Sequence, residues 1–420
     1  MSEDVKEAYY EAMSEGKYDR KPTLIAKYDS VRLFWEDDIM RHFMRPYLYP
    51  LITEKQPNLE RLRILDMGCG GGDGYDLLMN TKGKDPGVYE HRVQLIPQDI
   101  LGHYCGFDNN PQLIESARKT YSDNEKLSFE IRDFSDGLPL NEGEASYDIY
   151  FTSFGTLSHL NSKQVVKLLA DIAKHCGKYA LLICDWLGRY SYEWQTLWQL
   201  KDDESQFIDY VISYLYPPDK RPRRKLDSFP LRLVSRREIL EDVEAARKAS
   251  GVKIAIKDIF DHSIFVGRHM DTGEFNPHCQ PIRRVVNALH ADNIRTDLER
   301  LVINYHPKAG FTFLNQFYDR LQMAWNAVVR YTIALLASYD MDTDEFREEP
   351  EIPGHYPEVL RNSMMMIRRL MKGTAWLRTG DPRANIIEPQ LGYALRALEL
   401  GMQEGLGTGH GIVAIMEIRK

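Results

Sequence analysis

Cysteine is scarce in this sequence, and its spacing excludes the usual thiol-based sites. Five cysteines occur in 420 residues, and no two of them form a Cys-x-x-Cys pair. They are Cys69, Cys105, Cys176, Cys184 and Cys279. The spacing of His262, His269, His278 and Cys279 likewise matches no metal motif. We therefore predict reduced thiols in a reducing compartment, and no bound metal.

The sequence also lacks a long apolar run and an excess of positive charge. Residues 1–6 contain no apolar signal region, and the most apolar helical stretch, 327–337, is interrupted by Arg330. These features predict neither secretion nor a membrane-spanning helix, and hence a cytoplasmic protein. A formal net charge of −8 argues against a nonspecific nucleic-acid binder.

One segment departs from this overall charge. Residues 220–225 hold five cations in six positions, between two proline-containing stretches. A solvated loop is one interpretation, and a lid that contacts a phosphate or carboxylate of the substrate is another. A nucleic-acid contact is the third. The second interpretation predicts a small-molecule partner that is anionic.

The most informative stretch of the sequence is a glycine-rich turn at residues 63–72. An apolar strand pattern ends there in Asp66, and Gly68, Gly70 and Gly72 follow at alternate positions. Glycines permit a tight turn and let a ligand approach the backbone, and N–H groups at the start of the following helix favour electron-rich ligand atoms. The carboxylate of Asp66 suits the ammonium and sulfonium groups of an amino-acid-bearing cofactor.

The spacing of this turn separates it from two other glycine-rich motifs. Counting from Gly68, the sixth position of a dinucleotide fingerprint would be Asp73, and counting from Gly70 it would be Tyr75. No Gly-Lys-Ser/Thr follows either, so the Walker pattern fails. The segment resembles motif I of the class I S-adenosylmethionine-dependent methyltransferases, acid-x-Gly-x-Gly-x-Gly. The matching residues are Asp66, Gly68, Gly70 and Gly72.

The resemblance continues along the chain and implies a set of cofactor-binding residues. The segment 103–108 is typical of a second strand ending in an acid, which in this family is the ribose ligand, Asp108. A third strand ends at Asp133, expected near the adenine amino group, and Phe134 is expected to stack on the ring. The predicted set is Asp66, Gly68, Cys69, Gly70, Gly72, Asp108, Asn109, Asp133, Phe134 and Ser153.

One spacing departs from the expected pattern. The ribose acid usually follows the first strand by about 20 residues, whereas Asp108 follows Asp66 by 42. We interpret residues 81–101 as an inserted loop or hairpin. If a strand lies within it instead, Asp99 is the alternative ribose ligand.

The alternation of strands and helices from 62 to 185 predicts a doubly wound, mostly parallel, seven-stranded sheet of the methyltransferase type. Segments 253–260 and 263–268 are expected to be the paired final strands, and 411–418 a further strand. The predicted divisions are an N-terminal helical cap at 1–58, an S-adenosylmethionine-binding core at 59–185, a substrate-side insertion at 186–250, the final core strands at 251–280, and a C-terminal helical region ending in a strand at 281–420.

Three residues are candidate catalytic bases. His159 follows the fourth predicted strand, in the loop that faces the methyl group in the resembling family, and Asp185 and Tyr28 are alternatives. Tyr28 belongs to a helical pattern over 23–51. Such a helix covers the cofactor in this family, so that Tyr28, Arg32 and Trp35 are candidates for contacting the methionine end.

The sequence therefore predicts methyl transfer from S-adenosylmethionine, which becomes S-adenosylhomocysteine, to an oxygen or nitrogen of a small molecule. A protein or RNA methyltransferase is the first alternative, and a non-catalytic S-adenosylmethionine-binding assembly partner is the second. The C-terminal helices could pair two copies of the chain. Neither the substrate nor the acceptor atom can be predicted from the sequence.

Overall fold

A nine-stranded sheet with helices on both faces forms the centre of the computed structural model. The structure describes residues 27–55, 61–83, 94–199, 205–216, 228–340, 342–343, 345–374 and 380–420. The strands are β1 (Leu62–Met67), β2 (Leu101–Asp108), β3 (Leu127–Ile131), β4 (Ile149–Phe151), β5 (Tyr179–Gly188), β6 (Gln206–Val211), β7 (Ser228–Val234), β8 (Lys253–His262), β9 (Tyr339–Asp340), β10 (Glu345–Phe346) and β11 (Gly411–Arg419). The short strands β9 and β10 pair separately.

The helices flank this sheet or follow it in the chain. They are α1 (Asp37–Lys55), α2 (Asp73–Met79), α3 (Pro111–Thr120), α4 (Ser162–His175), α5 (Arg236–Ser250), α6 (Ile282–Ala288), α7 (Thr312–Ser338), α8 (Glu358–Thr374) and α9 (Glu388–Met402). A π-helical turn at Arg32–Glu36 leads into α1. In the part of the chain that the structure describes, no helix combines the length and the apolar character needed to cross a membrane.

The strand order confirms the predicted fold class. The main path is β3-β2-β1-β4-β5-β11-β8, and β6 and β7 extend from the end of β5. Strands β1 to β5 pair in parallel, whereas β11 runs antiparallel to both β5 and β8. The order reverses between β1 and β4, and ligands of doubly wound sheets bind at the carboxyl ends of the strands at this point.

Alternating side chains of the central strands fill two hydrophobic clusters. Ile64 and Ile183 belong to a cluster with residues of α1 and α2, and the neighbouring Leu65 and Leu182 belong to a cluster with residues of α4 and α5. Because both faces of the sheet are covered, its strands are apolar almost throughout, as expected for buried parallel strands.

One predicted strand is absent. Segment 263–268 is not a strand, and the partner of β8 is β11, at the C-terminus. Ser263 adopts a positive φ of 56°, which ends β8. The N–H groups of Ile264 and Phe265 then donate to the carboxylate of Glu399. The apolar pattern of this segment therefore reflects burial in a loop, and not strand pairing.

The region 186–250, predicted as a single insertion, contains two different parts. Strands β6 and β7 form an antiparallel pair beside the end of β5. Helix α5 instead packs with α4 against the sheet, through Ile239 and Val243. The basic segment 220–225 lies outside the described residues, as do the first residues of the helical pattern predicted from position 23.

Candidate functional site

A cavity of about 460 Å³ opens at the carboxyl edge of the sheet. One end is formed by the glycine turn and by the ends of β2 and β3. The predicted residues at this end are Gly68, Cys69, Gly70, Asp108, Asn109, Asp133 and Phe134. The cavity then passes Ser153 and reaches a second end, formed by His159, Tyr210, Tyr214, Phe229, Arg268 and His410.

The glycine turn adopts a left-handed backbone, which glycine accepts more readily than other residues. Gly68, Gly70 and Gly72 have φ values of 71°, 53° and 89°. A Cβ on Gly68 would lie 2.4 Å from Cγ2 of Thr156, and one on Gly72 would lie 2.5 Å from the Tyr121 ring. A Cβ on Gly70 would meet no atom within 4 Å. Gly68 and Gly72 thus permit close packing, whereas Gly70 faces the open cavity.

Asp108 lies at the carboxyl end of β2 and joins two backbone turns. Its Oδ2 accepts a hydrogen bond from Gly70 N–H at 3.1 Å, and its Oδ1 accepts one from Asn110 N–H at 2.8 Å. Burial raises the pKa of Asp108, although these backbone donors act in the opposite direction. Each oxygen keeps a lone pair for a further donor. Asp99, the alternative ribose ligand, lies in a turn before β2, at the opposite end of this strand.

Asp133 and Phe134 follow β3 at the same edge. The carboxylate of Asp133 accepts a hydrogen bond from Ser135 N–H at 2.8 Å. Burial opposes ionisation of this group, but the hydrogen bonds from Ser135 lower its pKa overall. The Phe134 ring is held by Phe107, with ring centroids 5.9 Å apart.

Asp66 is in a different position from the one expected. It is fully buried and is not among the residues that line the cavity. Its Oδ2 accepts a hydrogen bond from the Tyr104 hydroxyl at 2.5 Å, and a Cβ on Gly74 would lie 2.2 Å from the same oxygen. Burial raises the pKa of Asp66 to about 7. Asp66 therefore packs against Tyr104 and the first turn of α2, and it supports the glycine turn without facing the cavity.

The acid that lines the cavity beside the glycine turn is Asp73, which the sequence analysis missed. Its Oδ2 pairs with Lys27 Nζ at 2.6 Å, and its Oδ1 accepts from the Tyr28 hydroxyl at 2.5 Å. Burial alone would raise the pKa of Asp73, but Lys27 and Arg32 lower it well below its usual range. The available signal was its place in the first turn of α2, directly after the last glycine.

The loop after β4 contacts two of the predicted residues, Arg32 and Asp185, through Phe154. Phe154 has a positive φ of 58°, and its N–H donates to Oδ2 of Asp185 at 2.7 Å. The Arg32 guanidinium lies 3.3 Å from the centroid of the Phe154 ring. Asp185 is fully buried behind this loop, so it fixes the loop and does not face the cavity.

Two N-terminal candidates are also outside the cavity wall. Tyr28 is directed at Asp73, and Trp35 is fully buried, where its indole N–H donates to Glu399 at 2.9 Å. Of the three N-terminal candidates, only Arg32 lines the cavity.

His159 lies at the cavity wall, in a 3₁₀ turn over Thr156–His159. Its ring stacks on Phe229, with centroids 5.7 Å apart and planes 16° apart. The imidazole is exposed to the cavity. Because protein surrounds the cavity, the ring is shielded from bulk water, and this desolvation lowers the pKa of His159 to about 4. This imidazole is therefore neutral at neutral pH, and its low pKa makes it a weak proton acceptor.

The second end of the cavity combines aromatic rings with a cation, and sequence analysis did not identify it. The Arg268 guanidinium lies 5.2 Å from the Tyr214 ring centroid and pairs with Glu36 at 3.0 Å. These residues come from the π-helical turn before α1, the 3₁₀ turn that follows β6 and the segment after β8. The only sequence signal was the aromatic content of the insertion, since their distances along the chain exceed any motif.

The glycine turn, the acid at the end of β2 and the reversal of strand order meet at one cavity. In the sheet, the antiparallel strand β11 lies between β5 and β8. The chain has the class I S-adenosylmethionine-dependent methyltransferase fold. In this methyltransferase fold the C-terminal strand β11 completes the sheet, so the helical region 281–420 is joined to the core.

Solved structures with a related fold were found by comparison. An S-adenosylmethionine-dependent methyltransferase from Clostridium acetobutylicum is 14% identical, with 60% of this chain and 91% of that chain covered and a TM-score of 0.35. DesVI from Streptomyces venezuelae is 13% identical, with 61% and 94% covered and a TM-score of 0.33. A methyltransferase from Mesorhizobium loti is 14% identical, with 50% and 82% covered and a TM-score of 0.29. No protein-family model matches the chain, and no curated protein matches it significantly.

Proposed function

We propose that the chain transfers a methyl group from S-adenosylmethionine to a small-molecule acceptor. One observation carries the proposal. A single cavity runs from the glycine turn and Asp108 at one end to His159 and Arg268 at the other. Such a cavity can hold a cofactor and an acceptor side by side, with the loop around Ser153 between them.

The residues present fit S-adenosylmethionine at the first end. Gly70 leaves the space that a Cβ would take, and Asp108 keeps acceptor capacity for ribose hydroxyls. Asp133 and Phe134 offer an acceptor and a ring face to the adenine. Asp73, which follows the last glycine of the turn and lines the cavity, offers a carboxylate to the ammonium group, in the role predicted for Asp66.

When bound, S-adenosylmethionine supplies a methyl group on a sulfonium with a good leaving group. The protein's own work is then mainly alignment of the acceptor and exclusion of water. The Arg32–Phe154 contact and the Asp185 hydrogen bond to the Phe154 N–H fix the loop between the two ends. His159 is a candidate base where the acceptor carries a proton. Arg268 supports an acceptor with an anionic group.

Labelled cofactor tests this proposal. Purified protein is incubated with methyl-labelled S-adenosylmethionine and cell extract that has been separated into small solutes, protein and RNA. We expect label in small solutes together with S-adenosylhomocysteine. Label in protein or RNA would instead support the macromolecular alternative. Cofactor binding without S-adenosylhomocysteine in any fraction would support the non-catalytic partner.

A further inference from the structure

We infer that His410 is the general base of this reaction, and that Glu193 is its positioning residue. The inference rests on the proposed methyl transfer and applies to an acceptor whose hydroxyl or protonated nitrogen must lose a proton. His410 belongs to no motif, and it lies at the opposite end of the chain from the glycine turn.

The polarity of β11 brings His410 to the site. Because β11 is antiparallel to its neighbours, its first residue and not its last lies at the carboxyl edge of the sheet. Gly411 pairs with Leu187 near the end of β5 and with His262 at the end of β8. The preceding residue, His410, therefore lies at the edge where the parallel strands end, and it lines the cavity.

The carboxylate of Glu193 orients the imidazole. Nδ1 of His410 lies 2.8 Å from Oε2 of Glu193, which is fully buried. Among the described residues Nε2 has no hydrogen-bond partner, and this nitrogen is not sealed from solvent. With Nδ1 donating to the carboxylate, Nε2 is the nitrogen that can accept a proton from a bound molecule.

Glu193 is itself held in place. Its carboxylate accepts hydrogen bonds from Ser191 Oγ at 3.2 Å and from His269 N–H, and a Cβ on Gly267 would lie 2.2 Å from it. Burial opposes ionisation, but His410 and His269 keep the pKa of Glu193 below its usual range. A fixed anion behind an imidazole stabilises the imidazolium that forms when the base takes a proton.

Besides Glu193, the groups that face His410 are aromatic rings, two further histidines and one arginine. The Trp194, Tyr210 and His269 rings lie 5.6, 6.3 and 6.4 Å from its ring centroid. Arg268 and His159 line the same cavity. His159 has no carboxylate partner in the described part of the chain and stacks on Phe229, an arrangement that suits contact with the acceptor's surface more than proton transfer.

Methyl transfer to such an acceptor is a single displacement accompanied by the loss of one proton. An electron pair on the acceptor's oxygen or nitrogen forms the bond to the methyl carbon, and the bond from that carbon to sulfur breaks with its pair left on sulfur. The acceptor's proton passes to Nε2 of His410. The resulting imidazolium pairs with Glu193 and later gives the proton to water.

The test uses His410→Gln and Glu193→Gln, with His278→Gln as a matched control. His278 is exposed and does not line the cavity. Rates of S-adenosylhomocysteine formation are measured against pH with labelled S-adenosylmethionine and the small-solute fraction that supports turnover. S-adenosylhomocysteine binding is measured by calorimetry, and folding by thermal unfolding.

We expect His410→Gln to lower kcat by about 10²- to 10⁴-fold, with product binding within about threefold of the wild type and without the wild-type rise in rate with pH. Glu193→Gln should lower kcat more than it changes KM and shift the pH profile to lower values, because the imidazolium loses its counter-charge. His278→Gln should match the wild type.

A His410→Gln rate within threefold of the wild type, or an unchanged pH profile, would overturn the inference. An unshifted profile in Glu193→Gln would do so even if the His410 variant failed to fold. Failure of the proposed function gives a different result, since the wild type would then show no turnover or no cofactor binding.

Discussion

At the level of single residues, the acids around the glycine turn divide between those that support the turn and those that line the cavity. Asp66 has the sequence signature of a ligand but is buried against Tyr104, whereas Asp73 and Asp108 line the cavity. Sequence spacing identified the turn because glycines at alternate positions demand it. It could not assign the role of each acid, because that depends on whether the side chain points above or below the turn.

The buried carboxyl of Asp66 predicts a pH-dependent stability. Its pKa of about 7 in the folded chain exceeds the ordinary value of 3.8, so the folded state loses stability as the pH rises from about 4 to 7. Asp66→Asn removes this ionisation and keeps an acceptor for Tyr104. Urea unfolding at pH 5 and pH 8 should show the variant gaining about 2–3 kcal/mol on the wild type between these pH values. An equal difference at both would contradict the assigned burial.

The glycine turn allows a matched pair of substitutions. Gly68→Ala places a Cβ 2.4 Å from Thr156 at a positive φ, whereas a Cβ on Gly71 meets no atom within 4 Å. We expect Gly68→Ala to destabilise the protein by about 1–3 kcal/mol and to weaken cofactor binding, and Gly71→Ala to remain within about 0.5 kcal/mol of the wild type. Thermal unfolding and calorimetry measure both effects. Equal behaviour of the two variants would refute the packing of this turn.

At the level of helices and strands, hydrophobic periodicity correctly predicted the elements whose side chains are buried in a regular pattern. The strands predicted at 103–108 and 253–260 agree with β2 and β8, since their apolar residues recur as expected for buried strands. The strand predicted at 263–268 was wrong, because the apolar residues of this segment are buried in a loop whose N–H groups donate to Glu399. Periodicity reports burial, and the identity of the hydrogen-bond partner is a tertiary property.

Glu399 of α9 provides a test of that loop. Its carboxylate accepts from Trp35 Nε1 and from the N–H groups of Ile264 and Phe265. Glu399→Ala leaves these buried donors without a partner, and we expect a loss of at least about 3 kcal/mol in the free energy of unfolding. The exposed Glu404, which pairs with Arg320 at 2.6 Å, provides the control, and Glu404→Ala should cost less than about 1 kcal/mol. Similar losses would show that the loop does not depend on Glu399.

At the scale of the whole molecule, the cavity's second end joins residues that no local pattern could connect. Arg268 follows β8, Tyr210 belongs to β6 and His410 precedes β11. The first end was predictable because one motif and two strand ends supply it. The second end depends on the antiparallel insertion of β11 and on the extra pair β6 and β7, and neither strand polarity nor the place of an insertion follows from residue spacing.

A buried ionic network joins the N-terminal segment to α6. We expect this network to contribute to the free energy of unfolding. Arg283 pairs with Asp29 at 2.6 Å and with Glu36 at 2.7 Å. Arg283→Met leaves both carboxylates with one less cation and should cost about 3–5 kcal/mol in urea unfolding. Arg295→Met breaks an exposed pair with Asp381 and should cost less than about 1 kcal/mol. Comparable losses in both would contradict the importance of this network.

The cofactor site is tested by equilibrium binding of S-adenosylmethionine, measured by calorimetry, to the wild type, Asp108→Asn and Asp99→Asn. We expect one site in the wild type that S-adenosylhomocysteine also occupies. Asp108→Asn should weaken binding by about 10- to 100-fold, because charged hydrogen bonds to the ribose are lost. The exposed Asp99→Asn, at the other end of β2, should bind as the wild type does. Absence of binding by the wild type, or equal binding by Asp108→Asn, would contradict the central claim.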